Sequence, residues 1–170
     1  MPPLFEEVEP DERGVHHGLW TRRTILTVLG LVPLLALTGL LGQRATTSNA
    51  AAPGARLELR APETVRGGLL FESRIQVHVL GRIQHPRLVL DPGWLEGMQL
   101  NSIEPQPQSE SSRNGRLVLA YATWLPGERQ VLWLQFQVNP TNVGRRSYGT
   151  ELDDDKTKLA RIDRTLTVLP

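Results

Sequence analysis

The chain has 170 residues, a formal net charge of +1 and no cysteine. This length accommodates one sizeable domain, and the absence of cysteine excludes disulfides, thiolate zinc sites and cysteine catalysis. The charge is balanced and no basic run is interleaved with aromatic residues, which argues against nucleic-acid binding. Only Lys156 and Lys158 among the 19 basic residues are lysines, a bias we attribute to a GC-rich bacterial genome.

Residues 1–23 mix proline, glycine and acidic residues with a few apolar ones. They show no sustained helical period. We therefore expect a disordered tail.

An uncharged segment follows at residues 24–42, in which leucine, isoleucine and valine predominate. A helix needs about 20 apolar residues to span a bilayer, and a proline such as Pro33 is tolerated within a span. Arg22 and Arg23 lie directly before the segment, whereas only Arg44 lies close behind it, so the positive-inside bias places the tail in the cytoplasm. The sequence therefore predicts a single transmembrane helix in a bacterial cytoplasmic membrane, with all later residues outside the cytoplasm.

A cleaved export signal is the alternative interpretation of the same segment. Arg22-Arg23 and the residues around them resemble the twin-arginine consensus, and Ser48-Asn49-Ala50 offers small residues for cleavage. Both interpretations place the remaining chain outside the cytoplasm. The uncharged segment is longer than an ordinary signal core, which favours the uncleaved anchor.

Residues 43–54 are rich in alanine, threonine, serine and asparagine and contain no large apolar residue. Such a composition predicts a flexible linker.

From Ala55 onwards apolar and polar residues alternate, as expected of strands that bury one face. The longest predicted strand follows Gly67-Gly68 and turns these side chains inwards: Phe71, Ser73, Ile75, Val77 and Val79. A later strand turns another set inwards: Leu132, Leu134, Phe136 and Val138. Seven or eight such strands are joined by glycine and proline turns with no helical period between them. This pattern predicts a mainly β fold, an immunoglobulin-like sandwich over residues 55–170, with a small barrel as the alternative.

Two short segments carry a resemblance to a known class of proteins. Ala61-Pro62-Glu63-Thr64-Val65 precedes Gly67-Gly68 and the long strand, and Leu125-Pro126-Gly127-Glu128 precedes another strand. Together they resemble bacterial membrane-anchored immunoglobulin-like cell-surface modules of the adhesion type, which carry an L-x-P-G-E turn. The resemblance implies a binding or spacer module and no enzymatic activity.

The aromatic and basic residues supply the candidate partner contacts. Trp133 alternates with inward-facing residues and should point outwards, while Trp94 and Trp124 lie in or beside turns. Exposed tryptophan and arginine are the residues that anchor interfaces. A second cluster combines basic and aromatic side chains: Arg145, Arg146 and Tyr148.

Catalytic and cofactor motifs give no positive signal. The sequence contains no Walker A motif, dinucleotide fingerprint or nucleophile elbow, so no cofactor is expected. Asp153-Asp154-Asp155 lacks the alternating acids and glycine of an EF-hand loop, although a metal site at this tip is kept as an alternative.

These observations predict a non-enzymatic module held in the bilayer by residues 24–42. Its partner is expected to be an integral membrane or envelope protein. A metal-dependent or enzymatic exported domain and a passive structural spacer are the alternatives.

Overall fold

The computed structural model describes residues 12–37 and 43–170. The chain divides into two compact units, residues 1–41 and 42–170. Helix α1 (Glu12–Leu37) makes up the described part of the first unit and contains Pro33. No helix among the described residues is long and apolar enough to cross a membrane. The predicted span 24–42 extends into residues 38–42, which lie outside the described residues.

The helix begins at Glu12, inside the segment predicted to be a disordered tail; residues 1–11 lie outside the described residues. The hydroxyls of Thr24 and Thr27 donate to the backbone oxygens of Trp20 and Arg23, at 2.9 and 2.8 Å. Starting a helix is costly, whereas each residue added to an existing one gains a hydrogen bond. Continuing the helix from the leucine-rich segment towards its N-terminus therefore costs less than starting a new one.

Thirteen strands form within residues 43–170. They are β1 (Ala45–Ala52), β2 (Ala55–Pro62), β3 (Thr64–Arg66), β4 (Leu70–Val79), β5 (Pro86–Leu90), β6 (Met98–Glu104), β7 (Ser109–Arg113), β8 (Arg116–Ala120), β9 (Arg129–Val138), β10 (Gly144–Ser147), β11 (Thr150–Asp154), β12 (Thr157–Ile162) and β13 (Thr165–Leu169). A short 3-10 turn covers Pro92–Trp94. The larger number arises because β1 lies in the predicted linker and the short strands β3, β7 and β10 were not predicted.

The strands form two five-stranded sheets and one smaller sheet. The first sheet has the order β1-β2-β4-β9-β6, and the second has the order β12-β11-β5-β8-β7. A three-stranded sheet, β10-β13-β3, contains the parallel pair of β13 and β3. Both large sheets contribute to one buried hydrophobic cluster, so the predicted β-sandwich class is confirmed.

Strands β4 and β9 pair antiparallel over nearly their whole length, from Leu70 opposite Gln137 to His78 opposite Arg129. All the side chains predicted to turn inwards on these two strands are buried. Phe71 lies opposite Phe136, and their rings stack with centroids 5.4 Å apart. The alternation of apolar and polar residues thus determines which face of the sheet enters the core.

The flexible linker predicted over residues 43–54 differs from the structure, because residues 45–52 form strand β1. This strand pairs with β2 along its whole length, from Ala45 opposite Pro62 to Ala52 opposite Ala55. The two-residue turn Pro53-Gly54 connects the two strands. The composition of residues 43–54 did not indicate β1, because an edge strand needs a partner for its backbone rather than large side chains to bury.

Replacing Phe136 with alanine tests the position of the core. Phe136 is fully buried between the rings of Phe71 and Trp94, so Phe136→Ala should lower the free energy of unfolding by about 3–5 kcal/mol. Urea denaturation of residues 43–170 measures this change. Gln135→Ala, at the exposed neighbouring position, should change it by less than about 0.5 kcal/mol. Equal effects of the two substitutions would mean that the faces of β9 are assigned wrongly.

Candidate functional site

Three of the six predicted contact residues lie in the core. Trp94 and Tyr148 are 0% exposed and their rings stack with centroids 3.7 Å apart, while Trp124 is 5% exposed and packs near Tyr121. The Trp94 indole donates to the backbone oxygen of Gly149 at 3.0 Å. The prediction that Trp94, Trp124 and Tyr148 contact a partner therefore does not agree with the structure. Their neighbours come from distant parts of the chain, so turn positions alone did not reveal their burial.

Arg145 and Arg146 differ in their surroundings. Arg145 is exposed on β10. The guanidinium of Arg146 donates to the side-chain oxygen of Asn142 and pairs with Glu96 at 2.8 Å. An open depression beside them is also lined by Arg164, which is buried and pairs with Glu63 at 3.2 Å. Of the two predicted contacts Arg145 and Arg146, only Arg145 is exposed and stays available to a partner.

Trp133 points outwards from the first sheet, as predicted, with 40% of its surface exposed. It lies within β9, between β4 and β6. The register of the sheet places it in one row that crosses all five strands: Thr47, Arg60, Arg74, Trp133 and Glu104.

Trp133 contacts charged side chains and borders a depression in the surface. The guanidinium carbon of Arg74 lies 5.6 Å from the centroid of the Trp133 ring, and Arg74 also approaches Glu58 at 3.5 Å. A depression of about 300 Å³ beside the ring is lined by Ala45, Arg60, Glu72, Arg74 and Trp133. We refer to this depression and its lining residues as the Trp133 face.

The Trp133 face carries positively and negatively charged side chains and one N–H donor without a hydrogen-bond partner. Arg60 and Arg74 lie with Glu72 around the depression, and the buried Nε of Arg74 has no hydrogen-bond partner. A guanidinium held against an aromatic ring gains about 0.5–1 kcal/mol at an exposed site. The arrangement offers arginine side chains and an aromatic ring to carboxylate, carbonyl or apolar groups.

The alternation predicted that Trp133 points outwards, and the same alternation places Glu72 and Arg74 on the outer face of their strand, but it did not bring the three residues together. Alternation along each strand gives the face that a side chain occupies. It does not give the neighbouring strand or the register. Only the pairing of β4 with β9 places Arg74 opposite Trp133.

The outer face of the second sheet carries a buried ionic network. Asp91 and Glu151 are each bound by both Arg116 and Arg161, at nitrogen–oxygen distances between 2.9 and 3.4 Å. Lys158 adds a contact to Glu151 at 3.0 Å. These carboxylate side chains are only 6% exposed, so the network offers little surface to a substrate.

The carboxyl groups of this network have shifted pKa values. Burial opposes ionisation of Glu151, but hydrogen bonds from Lys158, Arg161 and Arg116 lower its pKa to about 2. Burial likewise opposes ionisation of Asp91, yet hydrogen bonds from Ser147 and Arg161 hold its pKa below the ordinary value.

Asp153 behaves in the opposite way. Burial, together with the charge of Glu151, raises its pKa to about 6. Its Oδ1 has no hydrogen-bond partner and its Oδ2 lies 3.7 Å from Arg113.

The three aspartates considered as a metal-binding tip have separate roles. Asp153 is buried, Asp154 accepts hydrogen bonds from the backbone nitrogens of Gln84 and His85, and Asp155 pairs with Arg87 at 2.8 Å. Within residues 12–37 and 43–170, no group of three or more His, Asp or Glu side chains is placed to hold a metal ion.

Comparisons with known proteins give distant structural similarity. No protein-family model matches the chain, and no curated protein matches it. A non-cellulosomal cohesin from Archaeoglobus fulgidus has a TM-score of 0.43 and 13% identity, covering 75% of this chain and 92% of its own. CaCohA2 from Clostridium acetobutylicum has a TM-score of 0.39 and 10% identity, covering 74% and 91%. A cohesin from a Clostridium thermocellum cohesin–dockerin complex has a TM-score of 0.38 and 11% identity, covering 62% and 89%.

Neutralising Asp153 should stabilise the domain at neutral pH. A raised pKa means that the contribution of this group to stability is present below pH 3.8 and is lost as the pH rises through about 6. Asp153→Asn should therefore raise the free energy of unfolding at pH 7 by roughly 1–3 kcal/mol and have little effect near pH 3.5. Urea denaturation across this pH range measures the difference. Asp155→Asn is the control: it removes only the partly exposed ion pair with Arg87, so it should not raise the free energy of unfolding at pH 7. Destabilisation by Asp153→Asn at pH 7 would contradict this account.

Proposed function

We propose that this protein is a non-enzymatic interaction module tethered to a bacterial membrane. An immunoglobulin-like sandwich outside the cytoplasm would present the Trp133 face to a protein in or on the same membrane. The observation that carries this proposal is the 40% exposure of Trp133 within a five-stranded sheet, in a domain that buries both Trp94 and Trp124.

The composition of the Trp133 face supports protein binding. Tryptophan and arginine are the residues most often found to dominate binding energy in interfaces. A partner that covers the Trp133 ring would remove apolar surface from water at about 25 cal/mol per Å². A carboxylate of the partner would also pair with the guanidinium of Arg74, whose side chain is 28% exposed.

The tether rests on the sequence. Residues 24–42 are uncharged and follow Arg22 and Arg23, the pattern of a span with its N-terminus inside. Tethering to the membrane of the partner raises the effective concentration to about the millimolar range, so a small interface suffices.

Strand β1 favours an uncleaved anchor over a cleaved signal. Cleavage after Ala50 would remove most of β1, which pairs with β2 over its whole length. A domain that retains β1 therefore requires the residues before Ala51.

Replacing Trp133 tests the proposed binding surface. In intact cells, chemical crosslinking followed by mass spectrometry should recover one dominant membrane protein, and Trp133→Ala should reduce its yield several-fold. The melting temperature should change little, because Trp133 does not belong to the buried cluster. Leu80→Ala, at a 57% exposed apolar residue outside the sheet strands, should leave the yield unchanged. Equal yields from Trp133→Ala and wild type would refute the role of this face, and absence of any partner would favour the passive spacer.

Protease treatment of spheroplasts tests the tether. External protease should digest the sandwich and spare residues 1–22, because the arginine pair holds the tail inside. The fragments are detected by antibodies against each end of the chain. A sandwich that is protected from external protease would contradict the proposed topology, and a mature chain that begins near Ala51 would favour the cleaved signal.

A further inference from the structure

Strand β1 forms one edge of the first sheet and pairs with β2 alone. Its backbone groups on the other side therefore have no partner strand within residues 43–170. One side-chain contact reaches the beginning of the strand, where the Arg164 guanidinium donates to the backbone oxygen of Thr46 at 3.2 Å. The rest of this edge offers N–H and C=O groups in the geometry that another strand needs.

The residues of β1 give this edge no protection. The strand has the sequence ATTSNAAA, without a charge or a proline, and its register with β2 is regular from end to end. Proteins ordinarily protect an edge strand with charged side chains, proline or a β-bulge. An unprotected edge of eight residues is a template on which another strand can pair.

The other edges of the two large sheets are protected. Strand β6 contains a register shift between Leu100 and Ser102, and the pairing of β12 with β11 shifts between Leu152 and Asp153. Strand β7 is short and carries Glu110 and Arg113; β12 also carries Lys158 and Arg161. Among the edge strands of the two large sheets, β1 is thus the one that lacks charged side chains and a register shift.

We propose that β1 pairs antiparallel with β1 of a second copy of this chain, so that two first sheets become one continuous sheet. A two-fold axis at Asn49 would place the two Asn49 residues opposite each other and Thr47 opposite Ala51 of the other copy. Because β1 is uncharged, no like charges meet at this contact. An isologous contact of this kind is the commonest form of protein oligomer.

This self-association goes beyond partner binding and uses a different part of the domain. The β1 edge lies at the side of the first sheet, and the Trp133 ring points out from its face. A pair of chains would present two Trp133 faces on one sheet. Two linked binding sites bind a clustered partner more tightly than one site does.

Single-cysteine crosslinking in native membranes tests the proposal, because the chain has no cysteine of its own. Identical residues near the two-fold axis lie about 5 Å apart, whereas residues two positions away are separated from their copies by about 13 Å. Oxidation should therefore join Asn49→Cys chains into dimers several-fold more than Thr47→Cys or Ala51→Cys chains. Cells that express both Thr47→Cys and Ala51→Cys chains should form the mixed dimer.

The matched control is Ser111→Cys on β7, which is an exposed residue on another edge strand. It should form no more dimer than random collision gives. Equal dimer yields for Asn49→Cys and Ser111→Cys would overturn the proposal. Asn49→Cys bound covalently to a different protein, without self-crosslinking, would also overturn it and would assign the edge to a partner. None of these results depends on the partner of the Trp133 face, so the two proposals fail separately.

Discussion

The pairing of β4 with β9 is the constraint on which the rest of the structure depends. These two strands are the longest in the first sheet and pair without interruption from Leu70 to His78. Because side chains alternate across a strand, the register that buries Phe136 also exposes Trp133 on the opposite face of β9. A slip of one residue would turn Trp133 into the core and the leucines of β9 into water.

The two large sheets use their outer faces differently. On the second sheet, Arg116 and Arg161 close over Asp91 and Glu151, and Val89, which alternation places on that face, is fully buried. Buried pairs of this kind are costly to disrupt once one partner is removed. The first sheet has no comparable network among its described residues, and its outer face leaves Trp133 accessible. This difference is the physical reason for proposing the first sheet as the recognition surface.

The sequence predicted the parts of the fold that local periodicity encodes. Alternation located the inner faces of β4 and β9 and the outward direction of Trp133. It did not predict β1, since small polar residues carry no hydrophobic period and the strand depends on backbone pairing with β2. The burial of Trp94 and Tyr148 also escaped prediction, because their stacked rings come from segments more than fifty residues apart. The Trp133 face required the register between strands, which no single strand contains.

Hydroxyl-radical footprinting of the full chain, in its native membrane and after purification, tests most directly whether Trp133 belongs to a recognition face. The account predicts that Trp94 and Trp124 are protected in both samples, while Trp133 is oxidised after purification and protected in the membrane. Equal oxidation of Trp133 in the two samples, or oxidation of Trp94 as rapid as that of Trp133, would contradict it.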